Sequence, residues 1–270
     1  MNHADRAAGS LTQGGRQRCF HLEPLVLEFI GLPGAGKTAV AACLVSELKA
    51  RGIACAERRA PRHPNEGTMV RRIRRATALL REHELTVASL RFAASVRPLS
   101  LGRLARALRL SGWATQFRSY ATSGVEVIVL DQGPLQDVWS LTVPSRRWNE
   151  PAMQAAVRRL LHTPRLGRAF VYVEVDVETA AERLGQRRGT RSRFDRLSPA
   201  QRRAWLDRYE RALTSVFEYA GQVTNAPCLR LDGTLPTDEA ARNVARFLDD
   251  VLPATTDGLS SAPIAAGGRS

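Results

Sequence analysis

Lys37 is one of two lysines in a chain of 270 residues, the other being Lys49, and it stands inside the run Gly31-Leu32-Pro33-Gly34-Ala35-Gly36-Lys37-Thr38. The remaining 38 of the 40 basic residues are arginine. A chain that chooses arginine almost everywhere uses a compact ammonium here, where a planar guanidinium does not fit. The run satisfies G-x-x-x-x-G-K-[ST] at every fixed position. Glycines at these positions let the backbone curl until several N–H groups point inward at phosphate oxygens. The helix that follows presents its positive end to the same anion. The spacing therefore assigns Gly31, Pro33, Gly34, Ala35, Gly36, Lys37, Thr38 and Ala39 to the phosphates of ATP or a similar nucleoside triphosphate. Lys37 reaches the β- and γ-phosphates, and the Thr38 hydroxyl ligates Mg²⁺.

Mg²⁺ at such a loop needs an acid at the end of a neighbouring strand. Asp131 follows the apolar run Val125–Leu130 and precedes Gln132-Gly133-Pro134. It is assigned to the metal shell, directly or through water, or to a general base; the alternative is a cap on the next helix. Gln132 would point near the same site.

These residues require strands that end in loops, followed by helices. Leu25–Ile30 reads as a largely buried strand, Glu28 aside, and a helix over 38–51 stops at Gly52. Further strands are predicted at 53–56, 125–130, 170–175 and 228–231. Helices are predicted at 135–141, 150–162, from about 178, from Ser198-Pro199-Ala200-Gln201 to about 220, and over 238–252. The Ser198–Gln201 run fits a capping box with proline at the first helical position. Trp205, Tyr209, Leu213 and Val216 fall on one side of that helix. Strands separated by helices, without hairpin signals, predict a mostly parallel sheet covered on both faces. The organisation is a loose tail over 1–23, a domain over 24–252, and a tail rich in small residues over 253–270. The arginines of the first tail, Arg6, Arg16 and Arg18, leave a transit peptide as an alternative.

The net charge of +14 is concentrated. Residues 58–118 hold 14 arginines against Glu66, Glu82 and Glu84, a local balance of +11. Two or three helices are expected there, broken near Pro98 and Gly112. Leu101, Leu104 and Leu108 share one helical face, with Arg103, Arg106 and Arg109 elsewhere. Arg71, Arg72, Arg74 and Arg75 form a tight cluster. Such charge suits an anionic acceptor, a nucleic acid or an anionic membrane, and it also suits ordinary solvated helix faces. Only Phe92, Trp113 and Phe117 interleave with it, which disfavours base stacking. Four cysteines, Cys19, Cys43, Cys55 and Cys228, show no metal-ligand spacing and predict buried, reduced thiols and a cytoplasmic location. No stretch of about 18 apolar residues predicts a membrane span.

Four segments resemble the thymidylate-kinase-like branch of the P-loop nucleoside and nucleotide kinases: GLPGAGKT, VLDQG, VYVEVDVETAAERLGQRRGTRSRFD and LRLDGTLPTDEAARNVARFL. The resemblance implies a five-stranded sheet in a three-layer α/β/α fold, and transfer of the ATP γ-phosphoryl group to a small acceptor. It implies an arginine-rich lid over 183–197, with Arg187, Arg188, Arg191 and Arg193 covering the phosphates and Arg183 facing the adenine. Guanidinium groups suit the charge that spreads over a transferring phosphoryl group. The Asp232-Gly233-Thr234 loop would lie near the base. Residues 58–118 would build the acceptor site, for a nucleotide, a phosphosugar or a nucleic-acid end. Glu57 loosely matches the family's Glu-Pro element and would act as base toward an acceptor hydroxyl. Thymidylate kinases usually carry Asp-Arg and deoxynucleoside kinases Glu-Arg where this chain has Asp131-Gln132, so the arginine that grips the acceptor or its phosphate in them has no counterpart here.

Other nucleotide-binding classes fit less well. There is no Asn-Lys-x-Asp guanine motif, and Leu110-Ser111-Gly112-Trp113 departs from the Leu-Ser-Gly-Gly signature. The sequence thus predicts an ATP-dependent kinase, with a nucleotide-dependent module that docks nucleic acid or membrane as the competing reading. A homodimer is compatible with either.

Overall fold

The computed structural model describes residues 24–58, 77–96, 100–121, 124–142, 149–162, 166–186, 194 and 197–257, without the side chains of 58 and 253–257. Five strands form one sheet, β1 (Leu25–Gly31), β2 (Cys55–Arg58), β3 (Val127–Leu130), β4 (Gly167–Glu174) and β5 (Cys228–Asp232). Their order is β2-β3-β1-β4-β5 and every pairing is parallel. β1 lies in the middle, and its seven residues are all buried, as a strand covered on both faces must be.

Helices fill the connections: α1 (Lys37–Ala50), α2 (His83–Ser95), α3 (Leu101–Tyr120), α4 (Pro134–Thr142), α5 (Glu150–His162), α6 (Val177–Gly185), α7 (Pro199–Thr224) and α8 (Thr237–Asp257). α1 and α8 pack on each other and on the sheet. α4 and α7 also pack on the sheet, with α3 and α5 against them and α2 outside. The arrangement is a three-layer α/β/α sandwich. The register Glu28↔Leu130 brings the ends of β1 and β3 side by side. The loop after β1 leads into α1 and the loop after β3 into α4, so the chain diverges between these two strands. In open parallel sheets, ligands bind in the crevice at such a point.

Local signals explain the element ends. α1 closes with the Gly52 amide on Lys49 O and the Ile53 amide on Leu48 O, the paired bonds of a Schellman turn. α7 opens on a full capping box between Ser198 and Gln201, with Pro199 at the first turn. It continues to Thr224, past the predicted end near 220, where Asn225 caps it in the left-handed region. β2 forms at Cys55–Arg58 instead of 53–56, and β4 begins at Gly167, three residues early.

The basic segment departs from expectation in three ways. α3 runs unbroken through Gly112. Its leucine face points outward, with Leu101 86% exposed, while Arg103 is 1% exposed. The aromatic stripe Trp113, Phe117 and Tyr120 sets the helix's rotation, and Arg103, Ala107, Leu110 and Ala114 follow it inward. The buried Arg103 guanidinium donates to Val96 O at 2.7 Å, at the end of α2. Finally, Glu82 is buried and pairs with Arg118, so part of the segment's charge is neutralised inside the fold. Arg71, Arg72, Arg74 and Arg75 lie outside the described residues.

Cys43 and Cys55 are partly buried, and Cys228 is exposed rather than buried, because it begins an edge strand; all three are free thiols. Among the described residues no helix is long and apolar enough to cross a membrane.

Candidate functional site

The turn between β1 and α1 is shaped by glycines. Gly34 has φ +97°, and a Cβ there would stand 2.4 Å from Ala180 O. Gly36, the residue before α1, has φ +96°. No side chain at Gly36 caps α1, and its first turn carries no acid. α3, α6 and α7 carry their own side-chain acceptors, Ser100, Asp176 and Ser198, whereas α2, like α1, has none. At α1 the exposed amides and the helix dipole are left to an anion from outside.

Lys37 is buried and its Nζ donates to Gly31 O at 2.6 Å and Leu32 O at 2.9 Å. The ammonium is thus held across the entrance of the turn. Thr38 Oγ1 donates to Asp131 Oδ2 at 3.1 Å. These two oxygens come from residues 93 positions apart, and the adjacent ends of β1 and β3 bring them together. Hard oxygen donors of this kind suit Mg²⁺, which takes one or two protein ligands and completes its shell with phosphate and water.

A cavity of about 760 Å³ opens on this turn. One side is made by Pro33, Gly34, Gly36, Lys37, Thr38 and Ala39. The lining also includes Arg106 of α3, Gln132 after β3, Gln136, Asp137, Trp139 and Ser140 of α4, and Phe194. Gln132 therefore faces the site as its sequence position suggests.

α4 is positioned by a residue the sequence reading set aside. Glu28 Oε1 accepts from the Leu135 amide at 2.7 Å and the Gln136 amide at 3.3 Å, so a strand carboxyl caps this helix from below. Glu28 is 1% exposed, and burial pushes its pKa up to about 8, against the pull of the two amides and of Arg168. Gly133 is required beside it, because a Cβ there would lie 2.3 Å from Glu28 Cδ. Burial likewise lowers the Arg168 guanidinium to about 10; it stacks 4.4 Å over the Phe117 ring.

Asp137 is fixed by two partners. Trp113 Nε1 donates to its Oδ2 at 2.9 Å, and Arg109 pairs with its Oδ1 at 3.4 Å. Burial raises its carboxyl above the ordinary range, and Arg109, Trp113 and Arg106 pull it back. On the far wall, Phe194 meets Trp205 edge-on at 6.1 Å, and Trp205 meets Tyr209, which meets Trp139. Arg202 holds this region by donating to the carbonyls of Phe194, Ala181 and Leu197.

Comparison with known proteins finds no matching family model and no matching curated sequence.

The predicted residues distribute unevenly around this geometry. Gly31, Pro33, Gly34, Ala35, Gly36, Lys37, Thr38 and Ala39 form or flank the turn, and Asp131 faces it. Arg183 Nη1 donates to Gly233 O at 2.8 Å, so this arginine and the Asp232-Gly233-Thr234 loop do meet. Neither lines the cavity. Glu57 sits on the edge strand β2 and does not line the cavity either. Arg187, Arg188, Arg191 and Arg193 lie outside the described residues. Arg106, Gln136, Asp137, Ser140 and Phe194 line the cavity without a motif to announce them. The signal available for α4 was the spacing of Gln136 and Ser140, which puts both polar side chains on one helical side.

Proposed function

We propose that this chain is a P-loop phosphotransferase, a small kinase that moves the γ-phosphoryl group of ATP to a small acceptor. The observation that carries the reading is the uncapped start of α1, with Lys37 in its first turn and Thr38 Oγ1 3.1 Å from Asp131, facing a cavity large enough for a second substrate. Pockets of a few hundred to a thousand Å³ are typical of small-molecule sites. The likeness of the sequence to thymidylate-kinase-like enzymes points the same way.

In this reading the turn amides and the Lys37 ammonium bind the β- and γ-phosphates and neutralise charge as it develops. Thr38 and Asp131 would hold Mg²⁺, whose charge would offset that of the phosphates. The acceptor would bind beside the α3 and α4 residues that line the cavity. Its attacking oxygen forms a bond to that phosphorus as the bond to the bridging oxygen breaks, ADP leaves with the electron pair, and the proton of a hydroxyl acceptor passes to water. Positioning and electrostatics supply most of the rate. Asp131 is committed to Thr38, and Glu57 is away from the cavity. A base role for either is therefore the weaker part of the reading.

An ATP-consumption screen over nucleosides, nucleoside monophosphates, sugars and aminoglycoside-like alcohols tests this. A turnover-supporting acceptor is expected, with the Lys37→Ala variant losing at least roughly 100-fold in rate. Full transfer by that variant, or ATP hydrolysis that no acceptor accelerates, would remove the kinase reading.

A further inference from the structure

The large apolar side chains that stand exposed among the described residues are Leu80, Val87, Leu101 and Leu108. All of them lie on α2, on α3 or in the turn just before α2. Single exposed leucines are ordinary, but a gathering on two adjoining helices marks an interaction surface. α2 and α3 run side by side in opposite directions. Arg118 pairs with Glu82 at one end, the Thr86 and Ser111 hydroxyls meet at 2.7 Å in the middle, and Arg103 donates to Val96 O at the other end. On α3, Leu101, Ala105, Leu108 and Gly112 follow the helical repeat on the side away from the buried Arg103, Ala107 and Leu110. A Cβ at Gly112 would meet nothing, so this side stays open for about three turns. On α2, the exposed Val87 likewise points away from the buried Leu85, Ser89 and Phe92.

The charge around this face is basic. α3 holds no acidic residue. The nearby acids Glu82, Glu84 and Asp137 are each in an ion pair, with Arg118, Arg159 and Arg109 respectively. Arg81, beside Leu80, and Arg91, one turn after Val87, are exposed and add positive charge beyond these pairs.

This chemistry selects among the partners that would cover the face. A second copy of the chain, related by a two-fold axis, would set these arginines against their own counterparts. A single-stranded nucleic acid would want aromatic rings for its bases. Here every exposed large apolar residue is aliphatic, while Trp113 and Phe117 are turned into the core. Aliphatic side chains that enter the acyl boundary, with arginines at headgroup level, are what an anionic bilayer receives.

We propose that the outer face of α2 and α3 docks on an anionic lipid membrane, with Leu101 and Leu108 entering the bilayer surface and Arg81 and Arg91 meeting the headgroups. Docking of this kind is independent of what the turn between β1 and α1 binds.

Co-sedimentation of the full chain with phospholipid vesicles tests it. Vesicles of phosphatidylcholine with about one-third phosphatidylserine should bind the protein, and vesicles of phosphatidylcholine alone should bind it far less. Salt at about 0.5 M should weaken the anionic binding. The double variant Leu101→Gln/Leu108→Gln should weaken it by roughly 10- to 100-fold, and Arg81→Gln/Arg91→Gln by roughly 10-fold. All four side chains are exposed, so both variants should melt with the wild type and test the apolar and the charged contacts separately. Arg246→Gln, exposed on α8 in the opposite helical layer, should bind as the wild type does. Absence of binding to anionic vesicles, or equal binding to neutral ones, would overturn the proposal. Undiminished binding by the leucine variant would do the same, because charge alone would then account for adhesion. A single-stranded oligonucleotide that displaces the vesicles and tolerates the leucine replacements would give the face to nucleic acid. A dimer in sedimentation velocity that Leu101→Gln/Leu108→Gln dissolves would give it to a second copy.

Discussion

Replacing Glu28 by Gln should alter how stability depends on pH. An unfolded glutamate ionises near 4.5, whereas the folded Glu28 carboxyl, buried under α4, holds its proton to about 8. Between those values the folded chain keeps a proton that the unfolded chain has lost. Stability therefore falls as pH rises through that window, and Glu28 adds no slope above or below it. The slope is about 1.4 kcal/mol per pH unit. Over the 3.5 units between 4.5 and 8, that amounts to about 5 kcal/mol, comparable with the whole stability of a marginal domain. The groups facing this carboxyl are Arg168 from β4, which favours ionisation, and Asp137 from α4, which opposes it. Both remain in the variant. A glutamine keeps an oxygen for the Leu135 and Gln136 amides and cannot ionise. Urea unfolding at pH 5.5, 6.5, 7.5 and 8.5 reads the effect. From pH 5.5 to 7.5 the wild type should lose about 3 kcal/mol relative to Glu28→Gln. Parallel pH curves for the two proteins would refute the burial argument and the account of how α4 is held.

Two further substitutions probe the walls of the cavity. Gly133→Ala drives a methyl to 2.3 Å from Glu28 Cδ, so it should cost about 1–3 kcal/mol in urea unfolding and shift α4, raising the acceptor KM more than the ATP KM. Arg202→Met leaves the carbonyls of Phe194, Ala181 and Leu197 without their shared donor; a loss of about 3 kcal/mol is expected in the same assay, and wild-type stability would show that water replaces the guanidinium at no cost.

The division between what was legible and what was not follows from the range of the forces involved. The turn 31–38 and the strand end at Asp131 could be read because their chemistry is local. Glycine at a left-handed position, a helix start with no cap and an apolar run closing on an acid each leave a mark within a few residues. The five strands were legible for the same reason, and so was the capping box of α7. The α3 and α4 lining of the cavity left no such mark. Arg106 became a cavity residue because Trp113, Phe117 and Tyr120, up to four turns further on, fix the rotation of α3. Arg103 was misplaced on the same ground: leucine spacing predicts a buried face only when no heavier aromatic stripe competes for the core. Glu28 looked like an interruption in an apolar strand. Its role depends on a helix more than a hundred residues later, and only the parallel register of β1 with β3 brings the two together. Both the charge that departs from the strand pattern and the glycine that departs from the helix pattern therefore have one cause. Glu28 occupies the space that a Gly133 side chain would need, and it supplies the acceptor that α4 lacks at its own start. A polar residue inside an apolar run and a glycine beside a strand end, read as a pair, are a sequence signal for a helix capped from the sheet below it.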